Sequence, residues 1–65
     1  SEGVLEDKKV LPQLLTSQVS KKIQTGVIKG GMIPKIESAV QTVLSGVGQV
    51  LIGDNLLTGT LIAEG

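Results

Sequence analysis

The chemistry available to this 65-residue chain is concentrated in one run, Gly30-Gly31-Met32-Ile33-Pro34-Lys35. Two glycines let a backbone come close to an anion, because no Cβ stands in the way. Pro34 suits a first helical turn, where its missing N–H costs nothing. The other N–H groups of such a turn have no partner inside the helix, and the positive end of the macrodipole points the same way. Lys35 adds a mobile point charge within that turn. The combination predicts a helix start prepared for a phosphoryl group, lying toward the carboxyl ends of the strands. Two plainer readings compete: a flexible loop ahead of a helix with Lys35 simply solvated, or a glycine pair packed closely on a neighbouring strand.

Other chemistries find little to work with. There is no cysteine and no histidine, so disulfides and zinc sites are excluded. Ser17, Ser20, Ser38 and Ser45 have no histidine to act as base, and the carboxylates lack the spacing of a metal loop. No metal site is expected. The Walker pattern G-x-x-x-x-G-K-[ST] and the dinucleotide pattern G-x-G-x-x-G are both absent. Six lysines balance six acids, without arginine and without any aromatic residue. A nucleic-acid binder needs a basic surplus and usually aromatics to stack bases, so no nucleic-acid partner is expected. The uncharged run from Glu37 to Asp54 is shorter and more polar than the ~20 apolar residues of a membrane span. With no targeting segment in view, a cytoplasmic location is expected.

The elements around the glycine pair follow from pattern. Val4-Leu5 and Val10-Leu11 flank Glu6-Asp7-Lys8-Lys9, which predicts a short hairpin, and Pro12 is expected to stop the strand. Thr16 or Ser17 is placed to cap a helix whose thin stripe is Leu15, Val19 and Ile23, with Gly26 as its left-handed end. Lys21 and Lys22 read as its solvated face. A second helix is the best patterned element: Met32, Ile36, Ala39, Val40, Val43, Leu44 and Val47 fall within an arc of about 140°. Lys35 stands at its edge, and Gly46 and Gly48 end it. Val50-Leu51-Ile52 and Thr60-Leu61-Ile62 read as buried strands. The expected class is α/β, one sheet with helices against it. A core without aromatics is thin for a chain this short, and the chain opens on Ser1. Both facts predict a piece of a larger protein, with no complete domain.

The run Gly26-Val27-Ile28-Lys29-Gly30-Gly31-Met32-Ile33-Pro34-Lys35-Ile36-Glu37-Ser38-Ala39 resembles the acetylglutamate kinase signature around G-G-M-I-P-K-[VI]-x-x-A. Glu2-Gly3-Val4-Leu5, Val10-Leu11-Pro12-Gln13-Leu14-Leu15-Thr16 and Gly59-Thr60-Leu61-Ile62 resemble flanking stretches of the same family, in order and spacing. The likeness covers essentially the whole chain, but only the last quarter or so of a typical member. It implies the C-terminal piece of a three-layer αβα amino-acid kinase fold, residues 1–65 being part of the nucleotide-binding lobe.

It also implies a parent enzyme that transfers the γ-phosphoryl of ATP to the side-chain carboxylate of N-acetyl-L-glutamate, in arginine biosynthesis. Lys35 matches the catalytic lysine. Val27, Ile28, Lys29, Gly30, Gly31 and Met32 match a stretch that contacts the nucleotide, and Glu2 to Leu5 the end of another such loop, with Leu5 as the contact. Mg is expected through the nucleotide. The acetylglutamate pocket, an organising aspartate and a second lysine belong to an N-terminal lobe outside these residues, and a homo-oligomer is expected of the parent. The connection from Asp54 to Gly59 is shorter than in many members. The isolated chain is accordingly expected to give no turnover. Two alternatives remain open at this point: a sister kinase acting on glutamate, carbamate or a nucleoside monophosphate, and a non-catalytic α/β module that associates through open sheet edges.

Overall fold

A computed structural model of the chain describes residues 3–55 and 58–65. Glu2, one end of the loop just named, and part of the connection from Asp54 to Gly59 lie outside the described residues. The first element is the expected hairpin, made of β1 (Leu5–Glu6) and β2 (Lys9–Val10). The register pairs Glu6 with Lys9, so Asp7-Lys8 is a two-residue loop with φ of 53° and 66°. Positive φ at both loop residues matches the right-handed twist of the strands, here without a glycine to relieve it.

Strand β2 ends at Val10, short of Pro12 as expected, yet the proline does not keep the next residues out of a sheet. A third strand, β3 (Gln13–Leu15), starts directly after it. Proline at this boundary takes no donor from the ladder, and its carbonyl accepts from the Leu61 N–H at 3.0 Å. Thr16 and Ser17 do not cap a helix either. The Thr16 hydroxyl donates to the Gly65 carbonyl and accepts from the Gly65 N–H, while the Ser17 N–H donates to that carbonyl at 2.9 Å. Both residues tie down the chain's last residue. Gln18 closes the turn, its side chain accepting from the Leu15 N–H at 2.9 Å. A 3₁₀ turn, Thr16–Gln18, then leads into α1 (Val19–Gln24), and Gly26 follows with the expected left-handed φ of 84°.

Helix α2 runs over Met32–Leu44 and buries Ile36, Ala39 and Val43. Leu44 and Val47 are 53% and 46% exposed, contrary to their expected place in the stripe. Leu44 stands at the edge of the stripe, about 70° from its centre, and Val47 follows the helix end and so no longer shares its period. Strands β4 (Gln49–Ile52) and β5 (Thr60–Ala63) complete a sheet in the order β3-β5-β4. β3 lies parallel to β5, and β4 antiparallel to it. The hairpin, both helices and the two expected strands are thus present, with β3 as an addition.

Being central, β5 carries Thr60 and Ile62 at 0% exposure. β4 is an edge strand, not the buried one expected. Val50 and Ile52 are half-buried toward α2, and Leu51 is 36% exposed on the opposite face. One core joins Leu14 and Ile62, adjacent in register, to Ile36, Ala39 and Val43 of α2, Val19 of α1, Ile28 and Val4. The described residues therefore make two layers, and the second sheet face, with Leu51 opposite Leu61, is open. No described helix is long and apolar enough to cross a membrane.

One buried hydroxyl fastens the hairpin to this sheet. Thr60 Oγ1 accepts from the Val4 N–H at 2.8 Å and donates to the Leu11 carbonyl at 2.6 Å. Gly3 passes so close that an added Cβ would fall 2.5 Å from Thr60 Oγ1. Thr60→Val keeps the shape and strips both bonds. The expected cost is about 2–3 kcal/mol, because the Val4 N–H is left buried without an acceptor. Amide exchange at Val4 should accelerate well beyond that of core amides in α2. Unchanged protection at Val4 would show that the hydroxyl holds nothing.

Candidate functional site

The Gly30-Gly31 pair turns the chain from Lys29 into α2. Gly30 has φ of 58°, a left-handed conformation that favours glycine. Gly31 is different: φ is −65°, ordinary for any residue, and an added Cβ would meet nothing within 4 Å. Open space around both glycines removes the reading in which the pair packs closely on a strand. The fold itself gives no reason for glycine at position 31.

The amides here are only partly free. The Met32 N–H donates to the Lys29 carbonyl and the Ile33 N–H to the Gly30 carbonyl, both at 3.2 Å. Pro34 has no N–H to offer. The N–H groups of Gly30 and Gly31 have no acceptor among the described residues, and both glycines are exposed. The donors open to a ligand therefore lie one or two residues before the helix, rather than throughout its first turn.

Two concavities flank this turn. The larger, about 850 Å³, lies between the hairpin and α1 and is lined by Leu5, Val27, Ile28, Lys29 and Met32 among others. It gathers five of the residues singled out by sequence. Lys8, Lys21 and Lys22 also border it, as do Glu6 and Asp7, so cations outnumber acids around it. Ile28 as a whole is 1% exposed, and its N–H donates to the Lys22 carbonyl. It forms the buried floor of this space.

Lys35 faces elsewhere. It lines a smaller concavity of about 550 Å³ with Pro34, Ser38 and the end of β4, and Met32 borders both spaces. Its side chain is exposed and has no ion-pair partner among the described residues. The turn stands over the carboxyl end of β4, as expected, but β3 and β5 present their amino ends there. The rule of carboxyl ends presumes a parallel sheet, and β4 runs against its neighbour.

Sequence reasoning missed three features. Lys21 is exposed, as a solvated face requires, and Lys22 is half-buried, but that pattern does not show that both border the larger concavity. Lys22 also pairs with Glu6, Nζ to Oε1 at 2.7 Å. Partners sixteen residues apart on different elements leave no local pattern to find. Thr60, by contrast, had a signal, since it is the one polar residue at the head of an apolar triplet. Among the described residues no three carboxylates gather to hold a metal.

Comparison with known proteins bears on what these spaces are for. No protein-family model matches the chain. Among curated proteins, the acetylglutamate kinase of Streptococcus sanguinis is 98% identical over 64 residues, 98% of this chain and 26% of that protein. That of Streptococcus mutans is 68% identical over 60 residues, 92% of this chain and 24% of its own length. A Staphylococcus epidermidis acetylglutamate kinase is 52% identical over 60 residues, with the same shares. The crystal structure of a Streptococcus mutans UA159 protein superimposes with a TM-score of 0.88 at 64% identity, over 98% of this chain and 26% of that one. The chain thus spans about a quarter of the length of the relatives it matches. With such identity around the glycine-lysine turn, the chain belongs to the acetylglutamate kinase family.

Proposed function

We propose that these residues form part of the nucleotide-binding lobe of a kinase that phosphorylates the side-chain carboxylate of N-acetyl-L-glutamate with ATP, in arginine biosynthesis. The observation that carries the reading is Gly31: glycine at an exposed position where the fold has room for any side chain. Space kept empty beside unpaired amides is what a phosphate chain requires.

In this reading the nucleotide lies in the larger groove, against Leu5, Val27, Ile28, Lys29 and Met32. Its phosphates pass the Gly30 and Gly31 amides toward Lys35. Mg arrives on the nucleotide. ATP supplies the phosphoryl group. The chain's own part is to hold donors and one ammonium where charge develops, which is most of what such a transfer demands. The acceptor binds through residues outside this chain. The open sheet face bearing Leu51 and Leu61 fits a lobe of which this is one portion. Alone, the 65 residues should give no turnover, because orientation of two substrates is worth about 7–11 kcal/mol of barrier.

Gly31→Ala tests the reading. In the whole kinase the substitution should leave thermal stability unchanged or slightly raised, since Gly-to-Ala at a compatible φ gains ~0.4–1 kcal/mol. The KM for ATP should nonetheless rise about tenfold or more, because a displaced phosphate chain is costly. An alanine variant with normal ATP kinetics would remove the main support.

A further inference from the structure

The hairpin is fixed firmly at its base and by one polar tie farther out. At the base, the Val4 N–H is held by Thr60 and the Leu11 N–H by the Val4 carbonyl. Beyond that, the loop with positive φ at Asp7 and Lys8 projects beside the larger groove. Among the described residues, the Glu6–Lys22 ion pair is the one polar contact that joins β1 and β2 to α1. Its side chains are 35% and 25% exposed, so water screens it less than a fully solvated pair. Lys22 is anchored at its main chain too, where its carbonyl accepts from the Ile28 N–H at 3.0 Å. That bond fixes the opposite wall of the groove, since Val27, Ile28 and Lys29 line it.

We propose that Glu6 and Lys22 are positioning residues which set the width of the nucleotide groove, a proposal that rests on reading that groove as the ATP site. Lys22 spends its ammonium on Glu6. Lys21 and Lys29, on the same groove, have no ion-pair partner among the described residues and remain for phosphate oxygens. The pair therefore acts on nucleotide affinity through spacing, and not on the transfer step.

The test uses a full-length acetylglutamate kinase carrying this segment. Glu6→Gln and Lys22→Met should each raise the KM for ATP about three- to fivefold, the scale of a partly exposed ion pair. The kcat and the KM for N-acetyl-L-glutamate should not move. The swapped double variant, Glu6→Lys with Lys22→Glu, should restore the KM for ATP to the wild-type value. An unchanged KM for ATP in both single variants overturns the proposal, and so does a swap that folds without restoring it. Should a single variant fail to fold, the swapped variant decides alone. Failure of the underlying reading looks different: Lys35→Ala would then leave kcat intact, whatever the pair does.

Discussion

Lys35→Ala in a full-length acetylglutamate kinase carrying this segment is expected to lower kcat by about 10²- to 10³-fold, with a much smaller change in the KM for ATP. The magnitude is that of losing one preorganised donor to developing charge, about 2.7–4 kcal/mol. The split follows from geometry. Lys35 borders the smaller concavity with the end of β4, while the residues assigned to nucleotide contact, apart from the glycine pair itself, border the larger one. A group that meets only the travelling phosphoryl affects the transition state more than the bound substrate. Stability should be untouched, because the side chain is exposed and has no ion-pair partner among the described residues. Lys35→Arg should recover only part of the loss, since a planar fork does not reproduce a compact ammonium. A kcat within threefold of wild type for the alanine variant, by about the scale of a solvent-exposed charge, would contradict the assignment.

The second large effect concerns the seat of that lysine. Ile36, the next residue, is 0% exposed and belongs to the cluster that joins α2 to Leu14 and Ile62. Ile36→Ala removes buried methyl groups where sheet and helix meet and should cost about 2–5 kcal/mol. Whole domains are stable by only ~5–15 kcal/mol, so the loss is a large fraction of the total. Urea unfolding of the kinase should show the midpoint fall with the slope unchanged, and Ile36→Val should cost about 0.5–1.5 kcal/mol. An alanine variant as stable as the valine variant would mean that α2 is held by something other than this packing.

What could be read from sequence divides by range. α2 was legible because seven apolar residues repeat with the helical period, and the hairpin because two apolar pairs flank a polar tetrad. Gly26 was legible as a left-handed helix end, and φ of 84° bears that out. β3 was not. It is three residues long, follows a proline, and exists because Leu14 pairs with Ile62 from the far end of the chain. Once β3 and β5 lie side by side, Thr16 meets Gly65 and is drawn away from capping. Edge or centre is likewise a tertiary property: two similar triplets, Val50-Leu51-Ile52 and Thr60-Leu61-Ile62, differ in burial because one has a neighbour on both sides.

The site followed the same division. Residues close in sequence, Val27 to Met32, were identified together, and most of them border one groove. Which space Lys35 would face depended on where β4 ends. That the Met32 and Ile33 amides are already engaged depended on a turn that the glycines make possible. Lys22 entered the groove wall only through an acid on another element.

Hydrogen exchange of the full-length kinase, with and without a saturating non-hydrolysable ATP analogue, tests the central claim most directly. The account predicts strong added protection in the peptide spanning Val27–Lys35, above all at the amides of Gly30 and Gly31, together with the hairpin. Residues 40–48 should exchange as before. A saturated enzyme whose Gly30 and Gly31 amides exchange at the rate of the free protein would contradict it.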